Sequence, residues 1–355
     1  MNSVGKPRTL RKMNMEAVES LLRTCGPLTK PDLSRRTGLS LVTVGKAVNE
    51  LIAQGRVLVA GSGGSTGGRK AQLYAFNHRQ FCFLALYYYE NRYACALADA
   101  TGEIFWQEDW NIGDGPIVEQ TLHCIEQVRQ KAQDIPLAAV GVGVPGAVSG
   151  GVVTSIPSLP SLEGVKFGAV LERALNCPVW VENDIGLAAF GLYTDRFEKE
   201  TDHLAYLYFG RGVGCGLVLN KRRFKGSLDF AGEVGCLPIE GTTLEQAFFH
   251  LRETLRPGET ADPNRLKTLV GLAVNSLSCV LNPGIVAVTC DGLGPQQLAD
   301  IGRGLTAPPE RRPRLVLLED VRRQCLQGVL HLCMQNWGNL SHRAKKSEEA
   351  AGPHE

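Results

Sequence analysis

The chain has 355 residues, of which 44% are apolar and 21% are charged, as in ordinary globular proteins. No apolar run reaches the roughly 20 residues that a membrane-spanning helix needs, and no apolar segment follows the basic N-terminus. We therefore expect neither a membrane span nor a secretory signal, and a cytoplasmic location. The 11 cysteines form no C-x-C or C-x-x-C pair, which argues against a disulfide framework.

The formal net charge of +2 conceals an asymmetry along the chain. Residues 1–80 carry a net charge of +9, and the remaining residues carry −7. A basic head on an acidic body is typical of a polyanion-binding module joined to a separate domain. A merely solvated basic face would have the same composition, so charge alone leaves both interpretations open.

Residues 1–76 have the pattern of a winged helix-turn-helix, an α domain with a β-wing. Helical spacing of apolar residues predicts a first helix over Met15–Cys25, which Gly26-Pro27 ends. Thr29 is suited to cap a second helix over Lys30–Thr37, and Ser40 to cap a third that runs to about Gln54. A short helix, a glycine-containing turn and another helix form the helix-turn-helix pattern.

The segment after the third helix predicts a β-hairpin. A strand at 56–59 is followed by the Gly/Ser-rich loop 61–68, then Arg69-Lys70, and an alternating strand at 72–76. Such a hairpin would place a basic tip within reach of a narrow minor groove.

This head is expected to bind double-stranded DNA. The third helix would lie in the major groove with its N-terminal half toward the bases. Operator half-sites about one helical turn apart require paired heads, so we expect a homodimer or homotetramer. The predicted DNA-contacting residues are Ser40, Leu41, Val42, Thr43, Lys46, Asn49, Arg69 and Lys70.

The body of the chain predicts an α/β domain. Apolar strands at 81–86, 93–98 and 103–110 precede a helix at 117–130 and a continuous apolar strand at 138–144. Strands and helices that alternate in this way favour a mixed sheet with helices on its faces.

Four ordered motifs in the body resemble the ROK family of sugar-responsive repressors and sugar kinases. They are GVGVPGAVSGGVVTSIPSLPSLEGV (141–165), VENDIGLAAFGLY (181–193), YLYFGRGVGCGLVLNKRRFKG (206–226) and AGEVGCLPI (231–239). The run GGRKAQLYAFN (67–77) also looks like the repressor branch, and the resemblance covers residues 12–295.

The resemblance implies an actin-like, ribonuclease-H-like fold of two α/β lobes, as in sugar kinases. We assign residues 77–190 to the first lobe and 191–320 to the second. A closing helix over about 321–337 would complete the first lobe. The polar segment 341–355 is expected to be a disordered tail.

The resemblance also implies a site for a small sugar or sugar derivative. The matching positions are Asn183 and Asp184, of which the aspartate is the general base in the kinases, together with Glu233 and Glu245. Ser158 stands where the family has a sugar-binding asparagine, and its hydroxyl can still form a hydrogen bond with a shorter reach. Carboxylates suit this role because they accept charge-assisted hydrogen bonds from hydroxyl groups. Glu245 has an alternative role as an acid at a helix N-terminus.

The chain departs from the kinase pattern in both phosphate loops. The stretch LYYYENRYACAL (86–97) stands where the family has D-x-G-G-T, and GRGVGCG (210–216) replaces G-T-G-V-G-G-G. A phosphate-binding loop needs small residues, so that its backbone N–H groups can approach the phosphate oxygens. The three tyrosines of the first stretch are too large for this. We therefore expect no ATP binding and no enzyme activity.

The zinc motif of the family is also absent from the sequence. Cys236 stands where the family has histidine, and the following LPIEGTTLEQ (237–246) contains no cysteine. One thiol cannot hold a tetrahedral zinc ion, so we expect no metal cofactor.

Three functions remain open at this stage. The first is a DNA-binding transcriptional repressor of carbohydrate genes with a degenerate, non-catalytic sugar-sensing domain. The second is an active ATP-dependent sugar kinase with an added head, which Asp184 favours and the lost phosphate loop opposes. The third is a constitutive DNA-binding protein whose body only dimerises.

Overall fold

A computed structural model describes residues 7–62, 71–156, 159–253 and 262–350. The chain divides into two compact units. The first comprises residues 1–81 with 99–101, and the second comprises 82–98 with 102–355. Within the described ranges, no helix has both the length and the apolar character to span a bilayer.

The first unit contains three helices and a three-stranded antiparallel sheet in its described part. The sheet has the order β1-β3-β2. The predicted helices and hairpin strands are present, although the first helix begins at Pro7 rather than Met15. The elements are α1 (Pro7–Cys25), β1 (Leu28–Thr29), α2 (Lys30–Thr37), α3 (Leu41–Ala53), β2 (Val57–Ser62) and β3 (Gln72–Phe76).

Local side-chain chemistry fixes the ends of α2 and α3. The Thr29 hydroxyl accepts from the backbone N–H of Asp32, whose carboxylate accepts in return from Thr29. Gly38 ends α2 with φ +72°, a left-handed conformation that glycine adopts at little cost. The Ser40 hydroxyl then accepts from the backbone N–H of Thr43 and caps α3. The helices pack on a core that includes Val18, Leu22, Leu33, Val44, Val48, Leu51 and Val57.

The first lobe of the second unit is a five-stranded mixed sheet with helices. Its strand order is β10-β7-β4-β5-β6, and β7 pairs in parallel with both β4 and β10. The elements are β4 (Cys82–Tyr89), β5 (Arg92–Asp99), β6 (Ile104–Asn111), α4 (Ile117–Lys131), β7 (Leu137–Val144), β8 (Ala147–Ser149), β9 (Val152–Ser155), α5 (Phe167–Leu175), β10 (Val179–Asn183) and α6 (Asp184–Leu192).

The second lobe has another five-stranded sheet, in the order β13-β12-β11-β16-β17. Here β16 pairs in parallel with both β11 and β17, and β11 pairs antiparallel with β12. The elements are β11 (Leu204–Phe209), β12 (Val213–Leu219), β13 (Arg222–Phe224), β14 (Pro238–Ile239), β15 (Thr242–Thr243), α7 (Leu244–Glu253), α8 (Pro263–Val280), β16 (Ile285–Cys290), α9 (Pro295–Arg303) and β17 (Arg314–Leu317). Helix α10 (Arg322–Ala350) follows β17 in the chain and packs against β4 and β7 of the first lobe.

The two lobes are versions of one arrangement. In each sheet, the first strand lies at the centre, a meander of two strands extends to one side, and two parallel strands lie on the other. The helix that follows the last strand is α6 in the first lobe and α10 in the second. These helices pack closely because Gly191 and Gly328 lie at the contact. A methyl group on Gly328 would overlap the Leu187 carbonyl, and one on Gly191 would overlap the Gln324 carbonyl.

Residues 341–350 differ from the expectation of a disordered tail over 341–355, and residues 351–355 lie outside the described residues. Helix α10 begins at Arg322 and continues through Ala350, well past the predicted end near residue 337. The sequence explains this result, because alanine, lysine, glutamate and arginine are good helix formers and dominate residues 343–350. The prediction of disorder rested on polarity alone and left out the helix propensity of these residues.

Candidate functional site

Asp184 is a buried carboxyl group at the start of α6. Only 5% of it is exposed. Its Oδ1 accepts from the backbone N–H of Ile185 at 2.8 Å and lies 3.3 Å from the Asn183 Nδ2 donor. Burial raises the pKa of Asp184 to about 7, because removal from water disfavours the charged form more than these donors favour it.

Asp184 belongs to a cluster of three carboxyl groups from both lobes. The charge of Glu233 contributes to the raised pKa of Asp184. Burial raises the pKa of Glu233, and the charge of Glu245 raises it further. The structure thus brings together three of the residues predicted to bind an effector. Such a cluster can accept hydrogen bonds from several hydroxyl groups.

Asn183 has a structural role in this arrangement. Its Oδ1 accepts from the backbone N–H of Gly186 at 2.8 Å and caps α6, while Nδ2 donates to the Gly146 carbonyl at 3.0 Å. Asn183 therefore fixes the loop that follows β7 and the start of α6. Ser158, the fifth predicted effector residue, lies outside the described residues.

Tyr87 of β4 lies near the same carboxyl group. Its hydroxyl lowers the pKa of Asp184, against the larger opposing effect of burial. Burial raises the pKa of Tyr87 well above its usual value, with the Asp184 charge as the next cause. The sequence analysis interpreted the three consecutive tyrosines only as side chains too large for a phosphate-binding loop. It missed the proximity of Tyr87 to Asp184, because residue type does not reveal which strand end faces α6.

Further contacts hold Tyr87 in place. Its ring stacks on that of Tyr89, with centroids 5.7 Å apart and planes 20° apart. The Tyr89 hydroxyl donates to Asp109 at 2.6 Å, and the Arg322 guanidinium lies over the Tyr89 ring at 5.3 Å. The β4–β5 turn is thus occupied by aromatic side chains and their polar partners.

The second glycine loop, residues 210–216, already uses several of its backbone donors. The N–H of Gly210 donates to the Gly212 carbonyl at 3.0 Å, and that of Val213 donates to the Glu245 carboxylate at 3.0 Å. The N–H of Arg211 is directed to the Tyr208 hydroxyl at 3.5 Å. These three backbone donors are therefore directed to partners within the protein. Glu245 therefore supports the loop as well as belonging to the carboxyl cluster.

The residues do not fit the zinc site of the family. Cys236 is exposed, and the pKa of its thiol is raised by partial removal from water and then by the charges of Glu233 and Glu245. Across the described ranges, no group of three His, Cys, Asp or Glu side chains is placed to hold a metal ion.

A charged contact between the lobes was not foreseen from the sequence. Glu182, which precedes the Asn183-Asp184 pair, contacts Lys225 Nζ at 2.5 Å and Arg223 at 3.6 Å. Both basic residues lie at or just beyond β13. Ser149 of β8 also donates to Asp229 of the second lobe at 2.6 Å. These contacts join the lobes near the carboxyl cluster.

Helix α3 presents an exposed face in the first unit. Leu41 and Val42 are 55% and 68% exposed, and Lys46 and Asn49 are also exposed. Val44, Ala47 and Val48 are buried in the core, and Thr43 is half-buried beside the exposed positions. The exposed positions belong to the set predicted to face DNA.

Some of the predicted DNA-contacting groups have partners within the chain. The Ser40 and Thr43 hydroxyls lie 2.8 Å apart at the cap of α3, and Lys30 donates to the Asn49 side-chain oxygen at 3.3 Å. Lys30 extends the basic surface beside α3 and was not singled out from the sequence. Arg69 and Lys70 lie outside the described residues.

Comparison with solved structures defines the class of the fold. A ROK family transcriptional regulator, a homologue of the E. coli MLC protein, matches 92% of this chain and 99% of its own with a TM-score of 0.62 at 17% identity. A ROK family glucokinase from Streptomyces griseus, in complex with glucose and AMPPNP, matches 72% of this chain and 99% of its own with a TM-score of 0.57 at 19% identity. The fold is that of the ROK sugar kinases and regulators.

The sequence comparisons lead to the same family. The ROK family model matches residues 90–254 of this chain. Over 241 residues the chain is 28% identical to the xylose repressor of Caldicellulosiruptor bescii, covering 65% of this chain and 60% of the relative. Over 251 residues it is 24% identical to the transcriptional dual regulator NagC of Escherichia coli, covering 67% and 60%. The match thus spans about three fifths of the length of these relatives.

Proposed function

We propose that this chain is a DNA-binding transcriptional repressor that senses a sugar through a non-catalytic sugar-kinase-like body. The observation that carries the proposal is the exposed N-terminal half of α3 in a segment of net charge +9. In this proposal the first unit is a winged helix-turn-helix, and α3 enters the major groove. Arg69 and Lys70, between β2 and β3 in the sequence, supply the tip of the wing.

The body supports sensing rather than catalysis. The carboxyl cluster offers acceptors for sugar hydroxyls, while the N–H groups of Gly210 and Val213 are occupied within the protein. A phosphoryl donor needs such backbone donors to neutralise its charge. The relatives named as repressors agree with this division of roles. The regulated genes would then be those of carbohydrate metabolism, and the active form a homodimer or homotetramer.

Sugar binding can control DNA binding only if the sugar prefers one arrangement of the lobes. Glu182, Lys225 and Arg223 belong to opposite lobes, so a change of lobe angle would alter their contacts. Asp184 and Glu233 likewise come from opposite lobes. A bound sugar that contacts both carboxyl groups would therefore stabilise one lobe angle over others.

The test is selection of bound duplexes from a random pool, repeated with D-xylose, D-glucose or N-acetyl-D-glucosamine present. We expect one duplex sequence to be enriched and its retention to change with one of the sugars. Asp184→Ala should abolish the sugar response and leave duplex binding intact. Failure to enrich any duplex at low salt would contradict the proposal.

Two further outcomes identify the alternative functions. Release of ADP from ATP in the presence of a hexose, measured with a coupled assay, would indicate a kinase. Enrichment of one duplex with no response to any sugar, together with no sugar-dependent rise in melting temperature, would indicate a constitutive DNA-binding protein.

A further inference from the structure

One face of α3 presents apolar side chains to solvent. Leu41 and Val42 are adjacent in the first turn, and each is more than half exposed. Single exposed apolar residues are common on protein surfaces and need no explanation. Here two neighbours lie together, in a segment of net charge +9 that is expected to meet a polyanion. A partner that covers both side chains would remove this apolar surface from water.

The hydroxyl groups of the same turn are engaged within the helix. The Ser40 hydroxyl accepts from the backbone N–H of Thr43 at 3.2 Å. The Ser40 and Thr43 hydroxyl oxygens also lie 2.8 Å apart, within hydrogen-bond distance. The first turn of α3 therefore presents mainly the aliphatic groups of Leu41 and Val42 to a partner.

Gly45 lies on the same face, one turn after this pair. It is four residues after Leu41 and three after Val42, and residues at these spacings are neighbours on a helix surface. Glycine inside a helix is less favourable than alanine, because it loses more conformational freedom on folding. Among the described residues outside its own stretch of α3, no atom lies within 4 Å of the place of a Cβ on Gly45. Packing within the described part of the chain therefore does not explain this glycine.

The major-groove edge of thymine is complementary to such a face. Thymine presents a 5-methyl group there, and apolar side chains contact that group. The charge of +9 favours a duplex over an apolar protein surface as the partner. Lys46 is exposed beside Gly45, so it can meet a phosphate while the apolar pair meets the bases. The missing side chain of Gly45 would let the helix backbone approach the base edges closely.

We propose that Leu41, Val42 and Gly45 form one contact surface that reads thymine methyl groups in the major groove. Leu41 and Val42 supply apolar contacts to the methyl groups, and Gly45 allows the close approach of the helix. The inference rests on the proposed DNA-binding function and names the base-edge chemistry that α3 recognises. It predicts thymine in each half-site of the operator, at base pairs within reach of the first two turns of α3.

The first experiment removes single methyl groups from the DNA. Each thymine of the duplex enriched from the random pool is replaced in turn by deoxyuridine, which pairs like thymine and lacks only the 5-methyl group. Fluorescence anisotropy measures the affinity of the full-length wild type, Leu41→Ala, Val42→Ala and Val170→Ala for each duplex. Val170 is the matched control, because it is an exposed valine in α5 of the second unit.

We expect deoxyuridine to weaken wild-type binding about three- to fivefold at one or more thymines of each half-site, the effect of burying one methyl group. At those thymines, the ratio of thymine to deoxyuridine affinity should fall towards 1 in Leu41→Ala or Val42→Ala, because the contact partner of the methyl is removed. Val170→Ala should keep the wild-type ratio.

Three results would overturn the reading of methyl groups. They are enriched half-sites without thymine, a ratio of 1 at every thymine in the wild type, and a wild-type ratio in both Leu41→Ala and Val42→Ala.

The second experiment separates close approach to DNA from helix stability. Gly45→Ala should keep or raise the melting temperature, because alanine favours the helix and no atom of the described residues opposes the added methyl. The same substitution should weaken duplex binding at least tenfold, because the methyl occupies space that the base edges need. Gly271 of α8 is the matched control with the same open surroundings, and Gly271→Ala should leave duplex affinity unchanged.

Wild-type duplex affinity in Gly45→Ala would contradict the close approach, and a lowered melting temperature would assign this glycine to folding. Either result leaves DNA binding itself standing, since enrichment of one duplex from the random pool decides that function. If no duplex is enriched, the inference and the proposed DNA binding fail together. Sugar sensing is then decided separately, by the sugar-dependent rise in melting temperature.

Discussion

Asp184 shows how one side chain can couple folding to pH. The folded protein keeps this carboxyl away from water, so the pKa lies at about 7 instead of the usual value near 3.9 in an unfolded chain. Because the folded state binds the proton more tightly, this contribution to stability is complete below pH 4 and is lost as the pH rises to 7.

Asp184→Asn should therefore flatten the pH dependence of stability. The amide cannot ionise, so the wild type should lose on the order of 3 kcal/mol relative to the variant between pH 4.5 and pH 8. Urea unfolding at several pH values measures this difference. Asp134→Asn, at an exposed turn after α4, controls for loss of a carboxyl group. A constant offset between wild type and Asp184→Asn at all pH values would contradict the assignment.

Lys46 allows a residue-level test of the proposed DNA surface. Its side chain is exposed on α3. If it meets a phosphate, Lys46→Ala should weaken binding to all duplexes alike and reduce the slope of log affinity against log salt by about 1. Fluorescence anisotropy at several salt concentrations measures that slope. Lys199→Ala removes an exposed lysine of the second unit and should leave the slope unchanged. Equal slopes for the wild type, Lys46→Ala and Lys199→Ala would exclude a contact between Lys46 and a phosphate.

At the scale of an element, α3 depends on its N-terminal cap. The helix is amphipathic, with one side in the core and the other exposed, and Ser40 supplies the acceptor for its first turn. A capping role and a direct role in DNA binding place different demands on the Ser40 hydroxyl, because a hydroxyl that accepts from Thr43 N–H is already oriented toward its own helix.

Ser40→Ala should destabilise the start of α3 by about 1 kcal/mol, the usual cost of losing a capping side chain. Hydrogen exchange of the α3 backbone amides measures the effect directly in the full-length protein. Ser40→Asp keeps an acceptor and should restore protection. Unaltered exchange in Ser40→Ala, combined with weaker duplex binding, would mean that the hydroxyl contacts DNA instead of capping the helix.

At the scale of the whole molecule, the second unit depends on the contact between α6 and α10. Each helix follows the last strand of one sheet and packs against the other: α6 contacts β11 and β12, and α10 contacts β4 and β7, so their contact links the two halves of the repeated fold. Gly191 and Gly328 allow the backbones to approach closely, because any side chain there would overlap a carbonyl of the other helix.

Two glycines of α10 should respond in opposite ways to the same substitution. Gly328→Ala should lower the free energy of unfolding by about 2 kcal/mol or more, since the added methyl overlaps the Leu187 carbonyl. Gly338→Ala has open space around the new methyl and should gain about 0.5 to 1 kcal/mol from helix propensity. Thermal unfolding of both variants measures the contrast, and destabilisation of equal size in both would contradict this packing.

The sequence by itself determined the elements whose signals are local. Apolar periodicity and capping residues located α2, α3 and the strand Gln72–Phe76, because their causes lie within a few residues of each other. The motif around Asp184 and Glu233 likewise pointed to residues that the structure brings together. The charge asymmetry between head and body is also a property of composition alone.

Only the tertiary structure decided which distant groups meet. Three interactions each join residues far apart in the chain: the effect of Tyr87 on the pKa of Asp184, the hydrogen bond from Val213 N–H to Glu245, and the ion pair of Glu182 with Lys225. The order of the two sheets sets these contacts, and no local pattern encodes sheet order. The C-terminal part of α10 is a case in which a local signal was present but was not used. The polar composition of residues 341–350 suggested disorder, whereas their helix propensity agrees with the helix in the structure.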